Sequence, residues 1–150
     1  MAKKKSSYGL ADTNVGAAMA APELAYKPSD PKRYKPAIGL IACGGITQAH
    51  LTAYKAAGYN VVALCDRKLD RAEARQKEFY PNATVYEDYR ELLKRDDIEV
   101  VDIATHPPER APILKHAIEA GKHVLSQKPL VIDLDYGLKL CDLAEKKGVK

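Results

Sequence analysis

The feature that most constrains the fold is a regular alternation of short apolar runs with helical segments, which begins at residue 37 and continues to residue 150. The apolar runs predict five strands, and the third of them is weaker and typical of an edge strand. The predicted strands span residues 37–43, 60–66, 83–88, 98–105 and 123–127. Near-continuous apolar strands with short connections are typical of a parallel sheet that is covered on both faces.

The segments between these runs have the spacing and the end signals of helices. The predicted helices span residues 46–58, 69–80, 88–95, 108–121 and 133–148. Since each crossover between parallel strands is right-handed, the strands fan out from the first one. The sequence therefore predicts an α/β fold, a Rossmann-type doubly wound parallel sheet of five strands in the order 3-2-1-4-5.

Individual residues indicate where the helices end and which side of each helix is apolar. Asp88 and Asp133 are candidate N-terminal caps, and Gly58, Gly121 and Gly148 are candidate C-terminal stops. Apolar residues recur at helical spacing in the first and last helices. These residues are Ile46, Ala49, Ala53 and Ala57 in the first helix, and Leu134, Leu138 and Cys141 in the last.

Residues 1–36 are expected to form a flexible basic arm, because they contain four prolines and few large apolar side chains. They hold seven Lys and Arg residues and three acids, so the net charge of +4 belongs entirely to this arm. Residues 37–150 are neutral and give no charge-based reason to expect nucleic acid as a partner. An arm that packs on a partner domain or subunit is the alternative.

The cysteines and the apolar segments indicate a protein of a reducing compartment, and we expect it to be cytoplasmic. Cys43, Cys65 and Cys141 are an odd number and form no CxxC pair, which disfavours a disulfide framework and a zinc site. No metal site is expected. No segment approaches the ~20 apolar residues that a membrane span needs, and Asp12 and Asn14 interrupt the apolar core that a secretory signal would require.

The turn after the first strand, Ala42–Thr47, is a candidate phosphate-binding turn. A dinucleotide turn usually reads GxGxxG between a strand and a helix, and its middle glycine lets a pyrophosphate approach the main chain. Gly44 occupies the middle position, whereas Ala42 and Thr47 replace the first and third glycines. An ordinary glycine-containing turn is the alternative.

Asp66 ends the second strand, 22 residues after Gly44, and is the candidate ligand of a ribose. A carboxylate there accepts hydrogen bonds from both ribose hydroxyls and repels a 2′-phosphate, so NAD is the expected cofactor. NADP is the alternative, because Arg67 and Lys68 follow directly and could bind that phosphate. A strand-end acid that only caps the next helix remains a further alternative.

Together with this turn and Asp66, the segment AGKHVLSQKPL (residues 120–130) resembles the glucose–fructose oxidoreductase/inositol dehydrogenase family, Gfo/Idh/MocA. The resemblance spans residues 37–150. It implies a two-domain oxidoreductase whose N-terminal domain binds NAD or NADP and whose second domain, which this chain lacks, supplies most of the substrate pocket. It further implies hydride transfer between the cofactor and a hydroxyl-bearing carbon of a sugar, cyclitol or polyol, and a homo-oligomer through the missing domain as one option.

The most specific part of the resemblance is the Lys-Pro pair at Lys128–Pro129, for which the family usually reads Glu-Lys-Pro. The lysine and proline match, whereas Gln127 replaces the acid and removes a negative charge. The resemblance implies that Lys128 contacts the reacting oxygen, where a cation stabilises the charge that develops as an alcohol is oxidised. If it were partly desolvated, it could also share in the proton transfer. An exposed strand-end lysine without function is the alternative.

Two further positions differ from the family pattern or match it weakly. The loop after the fourth strand usually reads Thr-Pro-Asn with a histidine beyond it, and here it holds Thr105, His106 and, near the histidine position, Arg110. His50 matches a histidine of the family pattern, although a local hydrogen bond could be its whole role, and Asp102 is expected to be a structural acid. The candidate cofactor-binding residues are Cys43, Gly44, Gly45, Ile46, Asp66, Arg67, Thr105, His106, Gln127 and Lys128.

Two other functions are compatible with the sequence. A dinucleotide-binding sensor or partner-binding module without turnover would need no substrate domain. The other is an oxidoreductase of another Rossmann class, such as a reductase acting on imines or semialdehydes, and the Lys128–Pro129 pair argues against it.

Overall fold

The structure, a computed structural model, describes residue 31 and residues 33–150. It contains a five-stranded sheet in which every neighbouring pair is parallel. The strands are β1 (Ala37–Ile41), β2 (Asn60–Cys65), β3 (Thr84–Tyr86), β4 (Val100–Ile103) and β5 (His123–Ser126). Their order, β3-β2-β1-β4-β5, confirms the predicted topology. Apart from residues 31 and 33–36, the predicted arm lies outside the described residues.

Five helices alternate with these strands. They are α1 (Thr47–Ala57), α2 (Leu69–Phe79), α3 (Tyr89–Leu93), α4 (Pro107–Glu119) and α5 (Leu134–Lys147). The carboxylates of Asp88 and Asp133 accept hydrogen bonds from main-chain N–H groups at the starts of α3 and α5. Gly58 and Gly148 end α1 and α5 in the left-handed conformation, at φ values of 70° and 69°. These caps and stops confirm the predicted helix ends.

The core consists of two apolar clusters, and residues of the strands contribute to both of them. One cluster contains Leu51 of α1 and Ala72 of α2, and the other contains residues of α3, α4 and α5. In β4, Val101 and Ile103 point into the second cluster, and Asp102 between them is fully buried. Because side chains alternate along a strand, Asp102 points to the face that α1 covers.

The apolar positions predicted for α1 and α5 are not the buried ones. In α1, Thr47 and Leu51 are buried, whereas Ile46 before the helix is 49% exposed. In α5, Gly137 and Leu140 are buried, whereas Leu134 and Leu138 are 75% and 58% exposed. The remaining predicted positions, Ala49, Ala53, Ala57 and Cys141, are exposed.

The last residue of the chain lies beside the edge strand β5. The N–H of Val124 donates to the carbonyl oxygen of Lys150 at 2.8 Å, and the N–H of Lys150 donates to His123 Nδ1 at 2.9 Å. A main-chain hydrogen bond therefore joins β5 to Lys150 on the side of the strand that faces away from β4.

Candidate functional site

The predicted site residues follow four parallel strands, so they meet at the carboxyl edge of the sheet. Ala42–Ile46 follows β1, Asp66 follows β2, Thr105 follows β4, and Gln127 and Lys128 follow β5. A cleft of about 700 Å³ opens at this edge. Of the predicted cofactor-binding residues, Gly44, Asp66, Arg67, Thr105 and His106 line the cleft. Cys43, Gly45, Ile46, Gln127 and Lys128 are not among its lining residues.

The turn after β1 presents main chain, rather than side chains, to the cleft. A Cβ added to Gly44 or Gly45 would meet no atom within 4 Å, so the space in front of both residues is open. Ile46 precedes α1 without a side-chain cap. The N–H of Gln48 donates to the carbonyl oxygen of Gly45 at 3.4 Å and the N–H of Ala49 to that of Ile46 at 3.0 Å. Among the described residues, the N–H groups of Gly45, Ile46 and Thr47 have no main-chain partner. These N–H groups and the helix dipole favour an anion.

The backbone of this turn is held by a side-chain contact and contains one residue of unusual conformation. Thr47 Oγ1 donates to the carbonyl oxygen of Gly44 at 2.6 Å. Ala42 has a φ of 74°, in the left-handed region that favours glycine. The position at which the family pattern has its first glycine therefore needs the conformation that glycine adopts most easily.

Asp66 is half-buried, and main-chain donors hold its carboxylate in place. Its Oδ2 accepts the N–H of Cys43 at 2.8 Å and its Oδ1 accepts the N–H of Lys68 at 2.9 Å. Each carboxylate oxygen can accept more than one hydrogen bond, so both oxygens retain capacity for ribose hydroxyls. The first of these contacts ties the candidate ribose ligand to the candidate phosphate turn.

The two cysteines beside Asp66 are buried, as predicted. Burial raises the pKa of Cys43 to about 12, and the negative charge of Asp66 adds to the shift. Burial likewise raises the pKa of Cys65 to about 12, again with a contribution from Asp66. Both thiols are therefore neutral at physiological pH, and a neutral thiol is a poor nucleophile.

Charged side chains of both signs line the cleft, three of them arginines and four of them acids. Arg67 and Glu109 form an ion pair of 2.9 Å between Nη2 and Oε1, which joins the end of β2 to the first turn of α4. Both side chains are exposed, so the pair contributes little to stability. Arg71 and Arg90 also line the cleft.

The loop after β4 contributes a polar atom that lacks a partner. The hydroxyl oxygen of Thr105 is buried and has no hydrogen-bond partner among the described residues. His106 is exposed and precedes α4 without capping it through its side chain. A buried hydroxyl without a partner beside an open cleft is suited to a polar ligand, because leaving it unpaired costs about 1–3 kcal/mol.

Arg110 joins the loop after β4 to the loop after β5. Its guanidinium donates to the main-chain carbonyl oxygens of Thr105, Gln127 and Pro129. The side chain is buried, with 2% of the residue exposed, and burial lowers the pKa of its guanidinium. Sequence reasoning did not identify this contact, which fixes the Lys128 loop beside the cleft.

Lys128 lies at the carboxyl end of β5, and the peptide bond between it and Pro129 is cis. The residue is exposed, so the partial desolvation that a share in the proton transfer would require is not present in this structure. Because β5 is an edge strand of the sheet, only residues that pack beyond it could cover Lys128.

Behind Lys128 lies a chain of polar side chains that sequence reasoning missed as a unit. Asp102 Oδ2 is 2.7 Å from His50 Nδ1, and His50 Nε2 is 2.9 Å from Gln127 Nε2. Tyr54 donates its hydroxyl to the same Asp102 oxygen at 2.8 Å. Asp102 is buried, and its Oδ2 is hydrogen-bonded whereas its Oδ1 has no partner among the described residues. His50 makes more than a local hydrogen bond. A buried aspartate between two apolar residues of β4 was the available signal.

Within the described part of the chain, no group of three or more His, Cys, Asp or Glu side chains is arranged to hold a metal ion. Among the same residues, no helix has the length and apolar character needed to cross a membrane.

The open main chain at Gly44, the uncapped start of α1, the fixed Asp66 carboxylate and the unpaired Thr105 hydroxyl together fit a dinucleotide with its anionic centre at the turn. Comparison with known proteins agrees with this fit. Residues 37–150 match the family described as an oxidoreductase family with an NAD-binding Rossmann fold, GFO_IDH_MocA.

The chain is also similar to individual relatives and to solved structures. The chain is 31% identical to a glycosyl hydrolase family 109 protein of Shewanella putrefaciens, over 92% of this chain and 34% of the relative. It is 31% identical to an inositol 2-dehydrogenase of Salmonella paratyphi B, over 73% of this chain and 33% of the relative. It superimposes with a TM-score of 0.72 on KijD10, a 3-ketoreductase from Actinomadura kijaniata solved with NADP and TDP-benzene, at 31% identity over 77% of this chain and 36% of that one.

The chain thus spans about a third of the length of these relatives. The matched residues, 37–150, contain every strand and helix that the structure describes. The chain therefore belongs to the Gfo/Idh/MocA oxidoreductase family and has its NAD-binding Rossmann fold.

Proposed function

We propose that the cleft at the carboxyl edge of the sheet holds NAD, with its pyrophosphate against the main chain at Gly44–Gly45 and its adenosine ribose at Asp66. The observation that carries this proposal is the open space over Gly44 beside a carboxylate that main-chain N–H groups hold in place. Cys43 and Ile46 take part through the backbone of the turn, and Thr105 and His106 border the cleft where the strand-four loop meets it.

NAD, rather than NADP, is the proposed physiological cofactor. The Asp66 carboxylate borders the cleft, and a negative charge there repels a 2′-phosphate while it accepts ribose hydroxyls. Arg67 would have to leave its ion pair with Glu109 in order to bind such a phosphate. Because that ion pair is exposed and contributes little to stability, the preference for NAD rests on Asp66.

In the proposed reaction, this chain is the cofactor-binding half of an enzyme that oxidises or forms a CH–OH group of a sugar, cyclitol or polyol. The names of the relatives, inositol 2-dehydrogenase and 3-ketoreductase, support this substrate class. Because the chain spans about a third of their length, the substrate pocket is assigned to residues outside it. We accordingly expect residues 1–150 alone to turn over no substrate.

Lys128 is the proposed catalytic residue. Bound NAD supplies the acceptor of the hydride. The ammonium of Lys128 stabilises negative charge on the reacting oxygen, and this effect is larger in the transition state than in the ground state. Arg110 and Gln127 hold the loop that carries Lys128, so the ammonium begins from a fixed point of the backbone.

The proposed compartment is the reducing cytoplasm. This proposal is supported by three cysteines, all of them free, two of which are buried.

Titration of the chain with NADH and with NADPH, followed by cofactor fluorescence, tests the cofactor assignment. We expect tighter binding of NADH. In Asp66→Asn the NADH affinity should fall about tenfold or more, because hydrogen bonds to a charged group contribute about 1.5–3 kcal/mol. The NADPH affinity should be unchanged or higher in the same variant.

Asp70→Asn is the matched control, because Asp70 is an exposed acid at the start of α2 that does not line the cleft. It should leave both affinities at the wild-type value. The assignment is wrong if the wild-type chain binds neither cofactor at millimolar concentration, or if the two variants behave alike.

A further inference from the structure

Three side chains link the buried strand β4 to the backbone of Lys128. Asp102 Oδ2 contacts His50 Nδ1 at 2.7 Å and His50 Nε2 contacts Gln127 Nε2 at 2.9 Å. At the far end, Gln127 Oε1 accepts the main-chain N–H of Lys128 at 3.1 Å. Tyr54 donates to Asp102 from the side at 2.8 Å.

The chemistry of these groups fixes the tautomer of His50. The Gln127 amide nitrogen is a donor only, so His50 Nε2 must accept with its lone pair. The proton of a neutral imidazole then lies on Nδ1, where it donates to the Asp102 carboxylate. The main-chain N–H of Lys128 fixes the Gln127 amide independently of His50, because this donor must meet the amide oxygen, and the amide nitrogen is then the atom that faces His50 Nε2.

The surroundings keep this arrangement in one state. Asp102 is fully buried, and 17% of the His50 side chain is exposed. Burial, together with the Asp102 charge, raises the pKa of the Tyr54 hydroxyl, so Tyr54 remains a donor. Asp102 is the titratable group hydrogen-bonded to His50, and Tyr54 donates to the same Asp102 oxygen. Arg110 contacts Gln127 through the main-chain oxygen of that residue.

We propose that Asp102, His50 and Gln127 are positioning residues that direct Lys128 through a hydrogen-bonded chain in which His50 is neutral. The catalytic consequence rests on the proposed function, because it is there that Lys128 acts. A glutamate at position 127 could accept from His50 but not donate to it, so His50 would carry both ring protons and a positive charge. The glutamine therefore selects an uncharged link and leaves no carboxylate beside the Lys128 ammonium.

The ¹⁵N chemical shifts of the histidine side chains test this proposal directly in the chain as it exists. At pH 7 His50 should have a protonated Nδ1 and an unprotonated Nε2. In Gln127→Glu both nitrogens should be protonated at the same pH. Gln48→Glu introduces the same charge at an exposed position of α1 and should leave the His50 signals unchanged.

Amide exchange at Lys128 tests the last link of the chain. Gln127→Leu removes the acceptor and should speed exchange of the Lys128 N–H about tenfold, whereas Gln127→Glu retains an acceptor and should not. Since Gln127 is half-buried at a loop, neither variant removes a core side chain.

The proposal is overturned if wild-type His50 carries its proton on Nε2, or if Gln127→Glu and Gln48→Glu give the same His50 spectrum. It is also overturned if Gln127→Leu leaves the exchange rate of the Lys128 N–H unchanged. Its failure is distinct from failure of the cofactor assignment. If the positioning proposal fails, the histidine spectra differ from those expected while NADH still binds. If the cofactor assignment fails, NADH does not bind while the histidine spectra are as expected.

Discussion

Ala42 is the residue at which the sequence departs furthest from what its backbone requires. A non-glycine residue in the left-handed region costs of order 1–3 kcal/mol, and Ala42 has a φ of 74°. The sequence showed that Ala42 replaces the first glycine of the pattern, and the structure supplies the physical reason for a glycine at that place. The preference for glycine at this position could be predicted from the sequence because a single main-chain conformation determines it.

Ala42→Gly should therefore stabilise the chain by about 1 kcal/mol, since relief of the strain exceeds the added entropy of the unfolded glycine. Ala53→Gly is the matched control at an exposed position inside α1, and it should destabilise by up to about 1 kcal/mol. Urea denaturation measures both values. Equal destabilisation by the two substitutions would contradict the strain assigned to Ala42.

Other residue-scale features were out of reach of the sequence. Arg110 was seen only as a departure from a histidine, and nothing in its neighbours indicates that its guanidinium meets three carbonyl oxygens. The contact between His50 and Gln127 joins residues 77 positions apart. Contacts of this kind depend on the register of β4 and β5, which the sequence pattern does not specify to within one residue.

At the scale of elements, the positions of strands and helices were predictable, whereas the buried faces of two helices were not. The strands were found because continuous apolar runs can be buried only in a covered sheet. In α1 the predicted face consisted largely of alanines, whose burial contributes little, and the packing is made by Thr47 and Leu51. In α5 the apolar arc is wider than the surface that covers it, so Leu134 and Leu138 lie outside the contact.

Paired substitutions in α5 test which face supports the fold. Leu140→Ala should lower the free energy of unfolding by about 2–5 kcal/mol, because Leu140 is 5% exposed and its loss leaves a cavity. Leu138→Ala on the same helix should cost less than about 1 kcal/mol, because its side chain is already 58% exposed. Chemical denaturation that ranks them in the opposite order would support the face predicted from the spacing alone.

At the scale of the whole molecule, the parallel sheet is what brings the candidate site together. Gly44, Asp66 and Thr105 are distant in sequence, and they line one cleft because each follows the carboxyl end of a strand of the same sheet. Their placement at one edge was predictable, since strand order and handedness follow from general rules. Lys128 follows β5 at the same edge but does not line the cleft, and the sequence alone did not decide whether it would be exposed.

The central claim is that a pyrophosphate lies against bare main chain at Gly44, and Gly44→Ala tests it most directly. The added Cβ meets no protein atom within 4 Å, so the unfolding free energy should stay within about 0.5 kcal/mol of the wild-type value. The measurement is an NADH titration of this variant beside the wild-type chain. We expect the variant to lose about tenfold or more in NADH affinity at unchanged stability, because the methyl group occupies space that the phosphates need. An NADH affinity equal to that of the wild-type chain would contradict it.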